Sequence, residues 1–309
     1  MMQRLAVRVA ASGRYILVAG IALGLAFPAQ AHAMRPTVGP LVVALLFLAM
    51  LRIGSEGLRI GRRTLAGATV FAVLSQLALP MAVALPLAAL DLLDRPLALG
   101  AVLVFAAAPI TGAAHIVVMS RGAPAPALRQ TVIGTAVLPL TVLPVLALVP
   151  AFGAASEVLV AVVRLVFVIG LAGGLALVLR KSGVVPGTAG AMAVIDAVAG
   201  VLLGLVVVGM MTAAGEALRI DPVGFFVTMG VVCGMVFGLQ GVVGVVWGGR
   251  VETAGLAVAL ANRNVALFLG VLPAEIGDRL LLVIGCYQLP MYLTPLVLPR
   301  LLGQRLRPD

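Results

Sequence analysis

The chain has 309 residues, 62% of them hydrophobic and only 10% charged, with a mean hydropathy of +1.21. A soluble domain carries about 25% charged residues, so these values exclude an ordinary soluble enzyme, a disordered chain and a disulfide scaffold. They indicate an all-α membrane protein with many spans. The net charge of +10 does not indicate a nucleic-acid partner, because the basic residues are scattered one to four per loop and there is one Trp.

A membrane helix needs about 20 apolar residues to cross a ~30 Å hydrocarbon core. Ten apolar runs are read as such helices: 15–33, 37–54, 64–88, 97–119, 127–150, 157–179, 189–213, 222–247, 252–273 and 280–301. None shows the period-two alternation of a barrel strand. The start of the chain has a second reading. Arg4, Arg8 and Arg14 precede an apolar stretch that leads to Ala31-His32-Ala33, as in a cleavable signal peptide. Cleavage would leave nine runs, and the stretch continues almost at once into run 2, so run 1 is kept as a span. Cys233 and Cys286 lie in apolar runs and are read as buried free thiols.

The loops set an orientation. With the N-terminus inside, Arg35, Arg95, Arg219 and Arg279 fall outside and Arg164 and Arg263 fall within runs. The other fifteen Lys and Arg residues fall inside, a positive-inside bias repeated at nearly every loop. Both termini are therefore expected in the cytoplasm, with the chain in the inner membrane and the lipid bilayer as its solvent.

Ten runs divide into halves of five, residues 1–152 and 153–309. An odd number per half turns the second half upside-down, the inverted-repeat plan of many secondary transporters. Such folds bind substrate where corresponding helices are broken in mid-membrane. Runs 4 and 9 are the candidates. Run 4 holds Ala108-Pro109-Ile110-Thr111-Gly112, in which Pro109 lacks a backbone donor. Run 9 holds Asn262-Arg263-Asn264, three polar side chains inside an apolar stretch. Polar groups at that depth are expensive unless they line a cavity or pair with one another.

The region from Ala108 to Leu146, with its Pro-x-x-Gly break, Arg121-Gly122 loop and Pro139, resembles the corresponding hairpin of the bile acid:sodium symporter family. Gln76 and Pro80 in run 3 are similar to that family's Gln-x-x-x-x-Pro pattern under a shift of one residue in spacing, and the segment around Asn262-Arg263-Asn264 resembles its second crossover. The resemblance covers nearly the whole chain. It implies a core domain of runs 3–5 and 8–10, a panel domain of runs 1, 2, 6 and 7, crossed broken helices 4 and 9, and a substrate crevice between the two domains. It also implies Na+ as a coupling ion. This chain departs from the family there: Ala114-His115 replaces a Ser-Asn pair, Ala127 a hydroxyl, Ala259 a Glu, and Arg263-Asn264 a Gln-Asn pair, while Gln76 and Thr131 are retained. Two unit cations 4 Å apart repel by about 4 kcal/mol at an effective dielectric of 20, so Arg263 aimed at such a site opposes Na+. Sodium coupling, proton coupling and uncoupled transport all stay open.

The candidate substrate contacts are Arg263, Asn264, Asn262, Thr111 and His115. Arg263 is read either as the anchor of the anion or as a fixed stand-in for a cation, against a purely structural Arg that satisfies carbonyls freed by the break. The candidate ion-coupling groups are Gln76, Thr131, His115 and Asp196, the last as a proton acceptor facing the crevice. Small-residue stripes at Gly20, Gly24, Gly170, Gly173 and Gly174 are read as close helix packing. No paired-carboxylate site, HExxH, GxSxG or phosphate loop is present, so the chain is not read as an enzyme and no cofactor is expected. The expected function is secondary active transport of a small organic anion. The alternative is a transporter-like membrane sensor or partner subunit that binds ligand without moving it. The oligomeric state is not read from the sequence.

Overall fold

The computed structural model describes residues 13–53 and 61–303. Arg4, Arg8, Arg59, Arg305 and Arg307, which contribute to the inside charge, lie outside the described residues. Those that are described form an all-helical, multi-pass membrane protein. Among the described residues seven helices are long and apolar enough to cross a bilayer. Their outward faces carry large apolar side chains such as Leu140, Phe167, Phe226 and Val245, the surface expected against lipid.

Among the described residues three of the ten expected spans are helices shorter than a membrane. Run 1 forms Gly13–Ala26 and then stops at Phe27, where the ring of Pro28 disfavours the α conformation of the residue before it. A second helix, Pro28–Met34, starts on that proline and passes through the 3-10 turn Arg35–Thr37 into Val38–Ile53. Run 4 divides into Pro96–Ala106 and Ala113–Met119. Run 9 divides into Val251–Ala261 and the single turn Ala266–Leu269.

The remaining runs are continuous. Run 3 extends from Arg62 to Ala89 but widens to a π turn at Leu74–Ala78. Runs 5 and 6 are Pro124–Leu148 and Ala155–Lys181. Run 7 is Ala189–Met210, carried on by Thr212–Ile220, and run 8 is Pro222–Trp247, whose N-terminus is capped by the Asp221 carboxylate accepting from Gly224 N–H at 2.9 Å. Run 10 is Ala274–Leu301.

Two helices are far more enclosed than the other long ones, Pro124–Leu148 and the last helix. Both carry the same spacing of prolines, Leu138-Pro139 to Pro144 and Leu289-Pro290 to Pro295. Around them pack the π-turn helix, Pro222–Trp247 and both broken helices. Gly13–Ala26 and Val38–Ile53 pack instead on Ala189–Met210, and Val38–Ile53 also on Ala155–Lys181. The glycine stripes separate here. A Cβ on Gly20 would come within 3.0 Å of Gly204 O, so that contact depends on glycine. Gly170, Gly173 and Gly174 have open space beside them and make no such close contact among the described residues.

Candidate functional site

The two broken helices meet at their breaks. Ile110 N–H donates to Asn262 O at 2.8 Å, and Asn264 N–H donates to Ala108 O at 2.7 Å. Pro109 and Arg263 thus face each other across a single antiparallel bridge, the one piece of β pairing among the described residues. The pairing has a clear physical cause. A helix break at membrane depth strands main-chain donors and acceptors that no water reaches, and two breaks placed side by side satisfy one another.

Arg263 completes the crossing from within. Its side chain is buried, with 1% of its surface exposed. Nε donates to Leu260 O at 2.7 Å, Nη1 to Ala107 O at 3.1 Å and Nη2 to Ser75 O at 3.0 Å. Each of these carbonyls is orphaned for an identifiable reason. Leu260 lies at the end of its helix, and Asn264, four residues on, gives its N–H to Ala108 instead. Ala107 is the extended residue that ends Pro96–Ala106. Ser75 lies in the π turn, where Leu79 N–H reaches back to Leu74 O. The next residue is Pro80, which has no N–H to offer. Tyr287 Oη joins the cluster, accepting from Arg263 N–H and donating to Ala261 O, both at 2.6 Å. Among the described residues the ion pairs are Arg35–Asp278 and Arg52–Asp196, so no carboxylate pairs with Arg263.

Asn262 is also fully enclosed. Its Oδ1 accepts from Gln240 Nε2 at 3.0 Å, and its Nδ2 donates to Met291 O and Thr294 Oγ1, both at 3.0 Å. Gln240 Nε2 donates to Thr294 Oγ1 as well, at 3.0 Å. A weaker counterpart stands on the other side of the crossing, where Thr141 Oγ1 donates to Gln76 Oε1 at 3.3 Å. Gln76 Nε2 is buried and has no hydrogen-bond partner in the structure. It presses on Gly134, whose absent side chain leaves room for it and for Pro109. Thr131 is buried, with Oγ1 donating to Ala127 O at 3.0 Å and lying 3.4 Å from Ile110 O.

The expected site residues therefore fall into three groups. Arg263, Asn262, Gln76 and Thr131 are buried in the crossing. Asn264 and Thr111 are half-buried beside it and His115 is exposed one turn further on. Asp196 is elsewhere, in an ion pair at 2.7 Å with Arg52 that joins Ala189–Met210 to Val38–Ile53. Sequence reasoning missed Gln240, Thr294, Thr141 and Tyr287. The repeated Leu-Pro-x-x-x-x-Pro spacing in the two enclosed helices was the available signal, since Thr141 lies inside one copy and Thr294 inside the other.

A cavity of ≈ 590 Å³ opens beside this region, between the turn that carries His32 and Arg35 and the stretch from Leu269 to Leu281. Its lining includes Leu269 and Gly270, just beyond the second break. The ion pair of Arg35 with Asp278 joins its two walls. Among the described residues no group of three or more His, Cys, Asp or Glu could hold a metal ion. No family model and no curated protein matches this chain. The family resemblance accordingly rests on the motifs alone.

Proposed function

We propose that this chain is a secondary active transporter of a small organic anion, working by alternating access, similar to the bile acid:sodium symporters. The observation that carries the reading is the antiparallel pairing of two mid-membrane helix breaks through Ala108, Ile110, Asn262 and Asn264. Interrupted helices that cross at membrane depth are the device by which transporter folds present polar backbone to a solute. The proline spacing shared by the two enclosed helices supports two inverted five-helix repeats, residues 1–152 and 153–309.

In this reading ten spans lie in the inner membrane with both termini in the cytoplasm. Runs 3–5 and 8–10 form the moving core and runs 1, 2, 6 and 7 the panel. Asn264, Thr111 and His115 are the accessible polar groups that contact the anion. Arg263 and Asn262 lie behind them and hold the crossing together from the second half. Gln76 and Thr131 hold the crossing from the first half.

The test is counterflow in proteoliposomes with radiolabelled acetate, pyruvate, taurine and a bile salt. Exchange of at least one label, abolished in protein-free vesicles, is the expected outcome. A panel member that shifts the unfolding temperature of the protein but never exchanges would overturn transport and favour the sensor reading.

A further inference from the structure

Two half-helices end at the crossing with their C-termini pointing inward. Ala107 ends Pro96–Ala106, and Leu260 lies in the last turn of Val251–Ala261. Each helix C-terminus carries roughly half a negative elementary charge on its unpaired carbonyls. Two such ends therefore present about one negative charge to whatever lies between them. In broken-helix transporters that position, with unwound carbonyls beside it, is the place of a coupling cation. Here it holds the guanidinium of Arg263, bonded to Leu260 O, Ala107 O and, from a third segment, Ser75 O. A lone buried cation is costly without partners, and no carboxylate among the described residues pairs with this one. The charge balance is supplied by main-chain dipoles.

We propose that Arg263 is a built-in cation. The guanidinium fills the carbonyl cage at the meeting of the two half-helices permanently, so that the crossing assembles without a bound alkali cation and the cycle does not draw on a sodium gradient. Because the charge is covalently attached, it cannot be released to either side, and a step that other carriers use for coupling is absent. The proposal rests on the transport reading for its consequence but not for its site, which is a statement about cation binding alone.

The experiment follows thermal unfolding of the purified full-length protein in NaCl, KCl or choline chloride at equal ionic strength, for the wild type and for Arg263→Ala. The wild type is expected to unfold at the same temperature in all three salts. Arg263→Ala is expected to unfold at a lower temperature in choline and to gain a saturable rise of roughly 2–4 °C from Na+, K+ or millimolar guanidinium. A saturable sodium-specific rise in the wild type overturns the proposal. So does a folded Arg263→Ala that gains nothing from any of the three cations. Arg263→Gln, a shorter side chain that keeps an uncharged NH2 donor, replaces Arg263→Ala if that variant does not fold, with the same expected gain. If neither folds, the wild-type salts decide. Failure of transport would show as absent counterflow with the salt results unchanged, and so is distinct from failure of the built-in cation.

Discussion

The two breaks at the centre of this protein reach the same point by different chemistry. The first, 107–112, contributes main-chain groups and the stiff ring of Pro109, while its polar side chain, Thr111, stays half-buried at the edge. The second, 262–265, contributes a guanidinium and a buried amide. Donors come chiefly from one side and acceptors from both. Ala107, Ser75 and Leu260 each offer a carbonyl, and Arg263 answers all three. The same imbalance recurs one layer out. Gln240, Asn262 and Thr294 are joined by three bonds of 3.0 Å, whereas Gln76 has one bond of 3.3 Å; each cluster leaves one buried amide atom without a partner, Gln240 Oε1 and Gln76 Nε2. The second half therefore contributes more and shorter side-chain bonds to the crossing than the first.

The largest test of this asymmetry replaces one residue from each break. Arg263→Leu removes three donors at once and leaves three buried carbonyls unmatched, and is expected to cost about 3 kcal/mol or more, at roughly 1–3 kcal/mol for each orphaned acceptor. Pro109→Ala keeps every bond of the crossing and is expected to cost about 1 kcal/mol or less, mainly through the looser unfolded chain. Unfolding temperatures of the two variants that matched would break the comparison.

Tyr287→Phe comes next. It strips one hydroxyl and thereby orphans both Arg263 N–H and Ala261 O. A loss of about 1–3 kcal/mol is expected, read as a lower midpoint in a denaturant or thermal series. The paired threonines sharpen the same point at smaller scale. Thr294 accepts from two buried amides, so Thr294→Val is expected to cost about 1–2 kcal/mol, and Thr141→Val roughly half of that because its one bond to Gln76 is long. Equal losses would mean that the two halves are equally tight. The smallest effect is Asp196→Asn. The pair with Arg52 is partly exposed, and such pairs contribute about 0–1 kcal/mol, screened by salt. Its stability deficit is expected to vanish at high ionic strength, and anion exchange to persist.

Much of the crossing is legible in the sequence. Pro109 and Gly112 in one apolar run, and three polar residues in another, marked two places where a continuous helix was improbable on energetic grounds. What stayed hidden was direction. Arg263 was open to an outward role as an anion anchor and to an inward role as a cation substitute. The choice depended on which carbonyls lacked donors nearby, and one of them, Ser75 O, lies 188 residues away in sequence. The π turn that strands it follows from Pro80, but a proline predicts only that some carbonyl is orphaned, not who answers it. The pairing of Asp196 with Arg52, 144 residues apart, was hidden for the same reason.

Composition and run length by themselves determined that this chain is a helical membrane protein, because hydrocarbon tolerates only backbone that satisfies itself. Local chemistry determined where helices stop, since proline and clustered polar side chains act within a turn of where they stand. Only the tertiary structure decided how the stopped ends are reconciled: which break lies against which, that two helix C-termini converge, and that one guanidinium serves both. Those outcomes depend on contacts between segments far apart in the chain, and no local preference encodes a partner that distant.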